Sequence, residues 1–177
     1  MEDISPLFDP HEFWDNQPVP KIQDELSLPD DDFDKPIELK TLDQVPQDAY
    51  SLPSQYVWDN LDLSDDPVAK EVYDLLYQNY VEDDEAMFRF DYSIPFLRWA
   101  LQPPGYVPEW LVAVRGGKKK KLYGMICGIP VNMNLRGNEV KCAEINFLCV
   151  HKSLRAKRLA PVLIKEVTRR VNLCNIW

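Results

Sequence analysis

A cluster of cations near the end of the chain lies between an apolar run and a helical pattern. Residues 145–150 are mostly apolar and predict a strand, residues 153–158 form a polar, basic turn, and Pro161 suits the first turn of a helix. A helix N-terminus presents unpaired N–H groups and the positive end of the dipole, so this turn could hold a phosphorylated ligand. The side chains that would add positive charge are Arg155, Lys157 and Arg158. From these residues alone, a solvated basic turn remains an equal alternative.

The cysteines and histidines do not form a recognisable reactive or metal-binding pattern. The four cysteines make no C-x-x-C pair, and His11 and His151 are the only histidines. We therefore expect free thiols in a reducing cytosol and no metal site. Cys149 is not expected to be a nucleophile, because no Cys/His/Asp arrangement accompanies it. The cysteines are Cys127, Cys142, Cys149 and Cys174.

Charge divides the chain into two unlike parts. The net charge is −9, but residues 1–100 carry 6 basic and 25 acidic residues, whereas residues 101–177 carry 14 and 4. The basic part fits an anionic ligand, and the acidic part favours a cationic partner such as a lysine-bearing peptide. Nucleic acid is a weaker expectation because no aromatic-basic motif is present. The lysines at 118–121 are interpreted as a solvated turn rather than a nuclear-import signal.

Helical and strand patterns alternate through the second part of the chain. Residues 1–56, rich in Pro, Asp and Gln, predict an extended arm. A first helix follows the capping residues 64–66 and ends near Tyr80, and Ser93 caps a second. Strands are expected at 110–115, 121–132 and 139–150, with turns at 116–121 and 136–138. The pattern indicates an α+β fold with a mostly antiparallel sheet flanked by helices. No secretory signal or membrane-length apolar run is apparent, so we expect a cytoplasmic protein without stable membrane insertion.

Several long segments resemble one enzyme family in the same order along the chain. They are FWDNQPVPK at 13–21, NYVEDDEAMFRFDY at 79–92, FLRWAL at 96–101, PPG at 103–105 and EINFLCVHKSLRAKRLAPVLIKEVTRRV at 144–171. On these segments the chain is identified as a member of the N-myristoyltransferases. The resemblance implies transfer of myristate from myristoyl-CoA to the N-terminal glycine of proteins, without a metal, by a fold of GNAT-type acyltransferase units.

The resemblance covers only the N-terminal half of such an enzyme. It implies an arm at 1–56 that folds over acyl-CoA, a partial GNAT-like myristoyl-CoA-binding domain at 57–177, and no C-terminal peptide-binding half. The catalytic base of the family, a terminal carboxylate, belongs to that missing half. Without that base, we expect little turnover from this chain alone. The strands that would cover the last helix are missing as well, so we also expect an uncovered apolar stripe on this helix and a marginally folded chain. The stripe consists of Leu159, Leu163, Val167 and Val171.

The family resemblance also implies roles for individual residues. The backbone N–H groups of Phe147 and Leu148 would form the oxyanion hole, which requires a bulge that frees them from the sheet. Asn146 corresponds to a position near the incoming glycine amine. The residues implied in acyl-CoA binding are Phe13, Trp14, Phe147, Leu148, Cys149, Val150, Arg155, Ala156, Lys157, Arg158, Leu159 and Ala160. Where GNAT-type turns carry a central glycine, this chain has Arg158, as the N-myristoyltransferases do.

An acidic loop with aromatic residues resembles the flap over the peptide groove of the family. Carboxylates there would attract a basic side chain, and aromatic rings would hold a peptide. From the residues alone, a solvated loop before core aromatics is favoured instead. The residues implied in peptide binding are Val81, Asp83, Phe88, Phe90 and Tyr92.

Three functions remain in competition at this point. The first is the myristoyl-CoA-binding half of an N-myristoyltransferase, whose partners would be N-terminal glycine peptides, with the ribosome as a further candidate. The second is a catalytically inactive fragment that only binds acyl-CoA or peptide. The third is a different GNAT-type N-acetyltransferase, which would need a complete domain after the basic turn.

Overall fold

The computed structural model describes residues 40–81 and 88–177. Within it, Leu42–Trp177 form one compact unit. The strands are β1 (Tyr56–Asn60), β2 (Leu111–Gly116), β3 (Lys121–Leu135) and β4 (Asn138–Val150). The helices are α1 (Asp66–Asn79), α2 (Ile94–Leu101) and α3 (Leu159–Leu173), and a 3₁₀ segment at Lys152–Lys157 precedes α3. No helix in the described ranges is long and apolar enough to cross a membrane.

The four strands form an antiparallel sheet in the order β1-β2-β3-β4. Helices α1 and α2 pack on one face and α3 on the other. Strand β2 is buried on both faces because Leu111 and Ala113 point toward α1 and α2, while Val112 and Val114 point toward α3. The α+β fold class expected from the sequence, with a mostly antiparallel sheet between helices, is confirmed.

The capping residues act largely as their types predict. Ser93 Oγ accepts a hydrogen bond from the N–H of Phe96 at 3.4 Å and starts α2. Helix α1 begins at Asp66 with Pro67 in its first turn, although the preceding residue, Asp65, makes no side-chain cap. Helix α1 ends at Asn79, as expected. Arg136 and Gly137 have positive φ angles of 50° and 87°, which is the conformation of a tight hairpin turn between β3 and β4.

The prediction that the apolar stripe of α3 is uncovered is wrong. Leu163 and Val167 are fully buried, and Leu159 and Val171 are 9% and 7% exposed. The second face of the sheet covers them, and the covering residues are Trp110, Val112, Val114 and Ile126. Gly124 allows this close approach, since a Cβ there would lie 3.1 Å from Leu159 and 3.2 Å from Leu163. The marginal folding expected from an uncovered stripe therefore has no basis in the structure.

The compact unit begins at Leu42 and so includes the end of the segment predicted as an arm. The division into an arm at 1–56 and a domain at 57–177 remains a prediction. Strand β1 was not expected, because its sequence YVWDN lacks a clear alternating pattern. It forms because it pairs with β2, and its Trp58 indole donates to the carbonyl of Tyr50 at 2.7 Å.

A buried ion-pair network holds residues 46–50 against α3. Glu166 is fully buried, and its carboxylate accepts hydrogen bonds from Arg169 at 2.7 and 3.0 Å and from the N–H of Tyr50 at 3.1 Å. Arg170 donates to the same carboxylate at 2.8 Å. Burial alone would raise the pKa of Glu166, but the hydrogen bonds from both arginines outweigh it and hold the pKa below its usual value. Arg169 also donates to the carbonyl of Gln47 at 3.0 Å, which completes the connection.

Candidate active site

A β-bulge interrupts the ladder between β3 and β4. Met125 pairs with Cys149 and Cys127 with Asn146, so Ile126 faces two residues, Phe147 and Leu148. Phe147 has a φ of +54°, a left-handed conformation that is unusual for a bulky residue. A bulge of this kind turns backbone N–H groups away from the regular ladder. The geometric condition that the sequence set for an oxyanion hole is therefore met, while the role itself stays a prediction.

Aromatic packing holds Phe147 in this strained conformation. Its ring lies edge-on to Tyr92 with centroids 5.3 Å apart, and 6.2 Å from the ring of Tyr80. Only 6% of Phe147 is exposed. Each aromatic pair contributes about 0.5–1.5 kcal/mol beyond burial, which offsets a left-handed backbone cost of about 1–2 kcal/mol. Tyr80, which directly follows α1, and Tyr92, which precedes α2, thus keep the bulge in place.

Asn146 lies directly at the bulge. Its side-chain oxygen accepts the hydrogen bond from the N–H of Phe147 at 2.8 Å. One of the two predicted oxyanion donors is therefore engaged by an uncharged oxygen from its own neighbour. A ligand oxygen that used this donor would replace the oxygen of Asn146. An oxyanion could do so, because hydrogen bonds to a charged acceptor are stronger than those to an amide oxygen.

The structure brings two of the predicted peptide-binding residues to the bulge. Phe90 stacks on Tyr92 with ring centroids 5.5 Å apart, and Tyr92 contacts Phe147. Phe88 and Phe90 are 73% and 50% exposed, so they are not the core aromatics that the residues alone favoured. Val81 is 55% exposed. The half-exposed ring of Phe90 therefore lies where a ligand can reach it, whereas Tyr92 packs against the core.

A groove of about 350 Å³ opens beside the bulge, between α2 and the sheet. This volume falls in the range of small-molecule sites. Phe96 is 38% exposed and lines the groove, and Trp99 beside it is 74% exposed. The sequence did not single out Trp99 or Glu144 as site residues. The lining residues are Phe96, Trp99, Ala100, Leu101, Pro103, Cys127, Ile129, Glu144, Asn146 and Phe147.

The basic turn is anchored to the end of α1. The side chain of Asn79 accepts a hydrogen bond from the N–H of Lys152 at 2.9 Å, and Arg155 donates to the carbonyl of Asn79 at 2.6 Å. His151 caps the 3₁₀ segment, and its Nδ1 accepts a hydrogen bond from the N–H of Ser153 at 3.2 Å. Arg155 therefore satisfies a carbonyl at a helix C-terminus, where a cation is favourable. The three cations do not simply converge on an open cradle, because one of them stabilises the turn.

The other residues of the turn remain accessible at the start of α3. Arg158 is left-handed, with φ and ψ of 55° and 32°, and α3 begins after it without a side-chain cap. Lys157 and Arg158 are exposed, as is Ala156, whereas Ala160 is half-buried and Leu159 is buried. An uncapped helix N-terminus beside exposed cations can bind an anion.

Cys149 is a poor nucleophile in this structure. Burial raises the pKa of its thiol to about 12, although the nearby charge of Arg155 opposes this effect. Its Sγ donates to the carbonyl of Leu75 at 3.9 Å. All four cysteines are free, but only Cys127 and Cys149 are buried. A neutral thiol at Cys149 agrees with the sequence-based expectation that acyl transfer does not pass through it.

Phe13, Trp14 and Asp83 lie outside the described residues. Leu148 and Val150 are half-buried and pack toward α3, so any contact from them to a ligand would come from the backbone or from an exposed edge.

Nearly the whole sequence is similar to one family of known proteins. The family described as "Myristoyl-CoA:protein N-myristoyltransferase, N-terminal domain" matches residues 36–177. The chain is 59% identical over 167 residues to the glycylpeptide N-tetradecanoyltransferase of Dictyostelium discoideum, covering 94% of this chain and 39% of that protein. It is 56% identical over 170 residues to glycylpeptide N-tetradecanoyltransferase 1 of Arabidopsis thaliana, covering 94% of this chain and 38% of that protein.

A solved structure shows the same fold. The crystal structure of Saccharomyces cerevisiae N-myristoyltransferase with bound myristoyl-CoA matches with a TM-score of 0.82 and 44% identity, over 96% of this chain and 39% of that one. The chain thus spans about two-fifths of the length of the relatives it matches. The match of the family across most of the sequence, together with this fold, shows that the chain belongs to the N-myristoyltransferase family.

Proposed function

We propose that this chain carries the myristoyl-CoA-binding part of an enzyme that transfers myristate to the N-terminal glycine of proteins. The observation that carries the proposal is the bulge at Phe147 and Leu148, on the strand that leads into the basic turn. A thioester needs donors for its carbonyl oxygen and cations for its CoA phosphates. One continuous segment, from Asn146 to Ala160, contains candidates for both.

In the proposed mechanism the bulge stabilises the charge that develops during acyl transfer. The thioester oxygen takes the hydrogen bond of the Phe147 N–H, and the Leu148 N–H provides the second donor. The amide oxygen of Asn146, 2.8 Å from the Phe147 nitrogen, withdraws and faces the incoming amine. This exchange favours the transition state, because the negative charge on the oxyanion is larger than the charge on the thioester oxygen in the ground state.

The basic turn holds the CoA phosphates in the same proposal. Lys157 and Arg158 supply charge, and the N–H groups from Arg158 to Ala160 at the start of α3 supply directed donors. Arg155 is a positioning residue, because its contact with the carbonyl of Asn79 keeps the turn in place. The predicted roles of Phe13 and Trp14 over the acyl-CoA belong to this proposal as well.

The acceptor is proposed to be a peptide that begins with glycine. Phe90 and Tyr92 present aromatic surface beside the bulge, where a peptide backbone can pack. The enzyme would meet such peptides in the cytoplasm as nascent or cleaved chains, with the ribosome as one place of encounter. The acidic loop that includes Asp83 would attract a lysine farther along the peptide.

Calorimetry with the purified chain tests the donor site. The ligand is a ketone analogue of myristoyl-CoA in which a methylene group separates the sulfur from the carbonyl, so that no transfer can occur. We expect saturable 1:1 binding, and about 10-fold or more weaker binding for Lys157→Ala, since a charge-assisted contact is worth about 1.5–3 kcal/mol. Lys165→Ala, which removes an exposed lysine from α3, is the matched control and should bind like the wild type. Absence of saturable binding, or an equal loss in both variants, would refute the proposed donor site.

A further inference from the structure

A second group of cations lies next to the basic turn and is not used by the proposed donor site. Lys118, Lys119 and Lys120 form the tip of the β2–β3 hairpin and are all exposed. The tip is rigidly built, because Gly117 and Lys120 have positive φ angles of 72° and 48° and the N–H of Lys120 donates to the carbonyl of Gly117 at 3.1 Å. The buried Arg115 also donates to the carbonyl of Lys120 at 3.1 Å. The lysines therefore project from a fixed turn.

The hairpin and the basic turn form one surface. Lys121 Nζ lies 3.2 Å from His151 Nε2, and the N–H of His151 donates to the carbonyl of Tyr123 at 2.8 Å. His151 is the residue that caps the 3₁₀ segment. We name this end of the sheet the hairpin–turn surface, and its cationic members are Lys118, Lys119, Lys120, Lys121, Lys152, Arg155, Lys157 and Arg158.

Among the described residues, the acidic groups near this surface offset little of its charge. Glu71 and Asp74 line a shallow pocket beside Lys121 and His151. Asp74 is paired with Lys70 at 2.5 Å, and Glu71 shares Arg115 with Asp59, with each carboxylate 2.6 Å from the guanidinium, so these groups leave about one net negative charge against the cations of the surface. The hairpin–turn surface is therefore locally cationic on a protein whose net charge is −9. Such segregation favours a partner that presents many negative charges on one side.

We propose that the hairpin–turn surface binds the phosphate headgroups of an anionic phospholipid membrane. Clusters of four to eight basic residues are typical of such binding, and two loops at one end of a sheet can meet a flat surface together. Single-stranded nucleic acid fits less well, because it needs exposed aromatic rings on which bases stack. Tyr123, the aromatic residue beside the lysines, is already packed against Tyr56 and His151, with centroids 5.6 and 5.5 Å away.

Vesicle co-sedimentation tests this proposal with the whole 177-residue chain. We expect binding to vesicles of phosphatidylcholine with about one-third phosphatidylserine at 50 mM salt, and none to phosphatidylcholine alone. Lys118→Ser combined with Lys119→Ser should weaken the partition coefficient roughly 30-fold, because each lysine near an anionic surface contributes about 5-fold. Raising the salt to 500 mM should remove most of the binding.

A matched control separates a local surface from net charge. Arg136→Ser combined with Lys141→Ser removes the same charge from the β3–β4 hairpin, whose turn is roughly 45 Å from Lys121 by the length of the 15-residue strand β3. This variant should bind the anionic vesicles with a partition coefficient close to that of the wild type. Equal losses in both variants, or equal binding to neutral vesicles, would overturn the proposal. So would binding to a poly-uridine oligonucleotide without binding to vesicles, which would indicate a nucleic-acid partner instead.

Addition of saturating CoA distinguishes this surface from the donor site. The difference in vesicle binding between the wild type and the Lys118, Lys119 variant should persist, because the hairpin is not assigned to CoA. If CoA abolishes vesicle binding completely, the surface is only the phosphate site of the donor, and the proposal is wrong. The donor site itself is tested by calorimetry, so each proposal can fail without the other.

Discussion

Glu166→Gln should destabilise the fold severely, although Glu166 is not one of the predicted site residues. The carboxylate is fully buried and accepts hydrogen bonds from Arg169, from Arg170 and from the N–H of Tyr50. Glutamine has the same shape but keeps one acceptor oxygen and turns an amide N–H₂ group toward the arginines. Arg169, 8% exposed, would then be buried beside a neutral donor.

The expected cost follows from the hydrogen bonds that a glutamine side chain cannot accept and from the charge that it removes. Removing one partner of a buried ion pair typically costs about 3–5 kcal/mol, because the other charge is left without compensation. Half of the hydrogen-bond capacity survives in glutamine, so we expect about 3 kcal/mol. A domain of this size has a total stability of about 5–15 kcal/mol, so the loss would be a large fraction of it.

Urea unfolding followed by tryptophan fluorescence at pH 7 measures this cost. Glu109→Gln makes the same chemical change at an exposed carboxylate and should change the free energy of unfolding by less than about 0.5 kcal/mol. If Glu166→Gln is also within about 1 kcal/mol of the wild type, the network is not the connection described above. Residues 46–50 would then be held by other contacts.

The difference in stability between the wild type and Glu166→Gln should depend on pH in a defined way. The pKa of Glu166 in the folded state is lowered from the ordinary 4.5, so its contribution to stability is complete above that pH and is lost as the pH falls through the folded pKa. The difference in unfolding free energy between the wild type and Glu166→Gln should therefore be constant from pH 5.5 to 8 and shrink below about pH 4.5. A difference that grows on acidification would contradict the assigned ion pair.

Three further predictions concern the site. In urea unfolding, Phe147→Gly should be about 1 kcal/mol less destabilising than Phe147→Ala, because only glycine adopts the φ of +54° without cost. Glycine is usually the more destabilising of the two substitutions, so a larger loss for Phe147→Gly would argue against the bulge. Arg155→Ala should lower the free energy of unfolding by about 1–3 kcal/mol because it leaves the carbonyl of Asn79 without its donor, whereas Lys157→Ala should not. Exposed Cys174 should react with a thiol reagent at pH 8, whereas Cys149, whose pKa is raised to about 12, should react only after unfolding. Mass spectrometry can follow both reactions, and rapid labelling of Cys149 would contradict its burial.

Local signals in the sequence predicted most of the elements. Ser93 with its following proline marked the start of α2, and the apolar runs marked β2 to β4, because caps and hydrophobic patterns depend on neighbours in the chain. Strand β1 was missed because YVWDN has no alternating pattern, and its pairing with β2 is a property of the tertiary structure. The burial of the α3 stripe was also mispredicted. The continuous apolar run of β2 indicated that this strand is buried on both faces of the sheet, and one of these faces covers α3.

The site was predictable in its segments but not in its geometry. The resemblance pointed to Phe147 and Leu148, yet side-chain types cannot reveal a register shift, since the bulge depends on which residues of β3 stand opposite. Glu166 and Arg169 looked like an ordinary pair on a helix surface. The position of Glu166 between Leu163 and Val167, at the edge of the apolar stripe, was the signal that it is buried. Trp99 lines the groove because of the way α2 packs on the sheet, and no local sequence pattern indicated this.

The most direct test of the proposed donor site is the behaviour of two backbone amides when the ligand binds. The chain would be labelled with ¹⁵N at phenylalanine and leucine and titrated with the ketone analogue of myristoyl-CoA, with CoA alone as the control. The amide resonances of Phe147 and Leu148 should both shift and saturate together with the calorimetric binding curve, because the ketone oxygen would replace the amide oxygen of Asn146 on the Phe147 N–H and would accept from the Leu148 N–H. CoA alone should shift the amide of Leu159 and leave Phe147 and Leu148 largely unchanged. Saturation by the analogue without a shift at Phe147 or Leu148 would contradict the assignment of the bulge as the oxyanion hole.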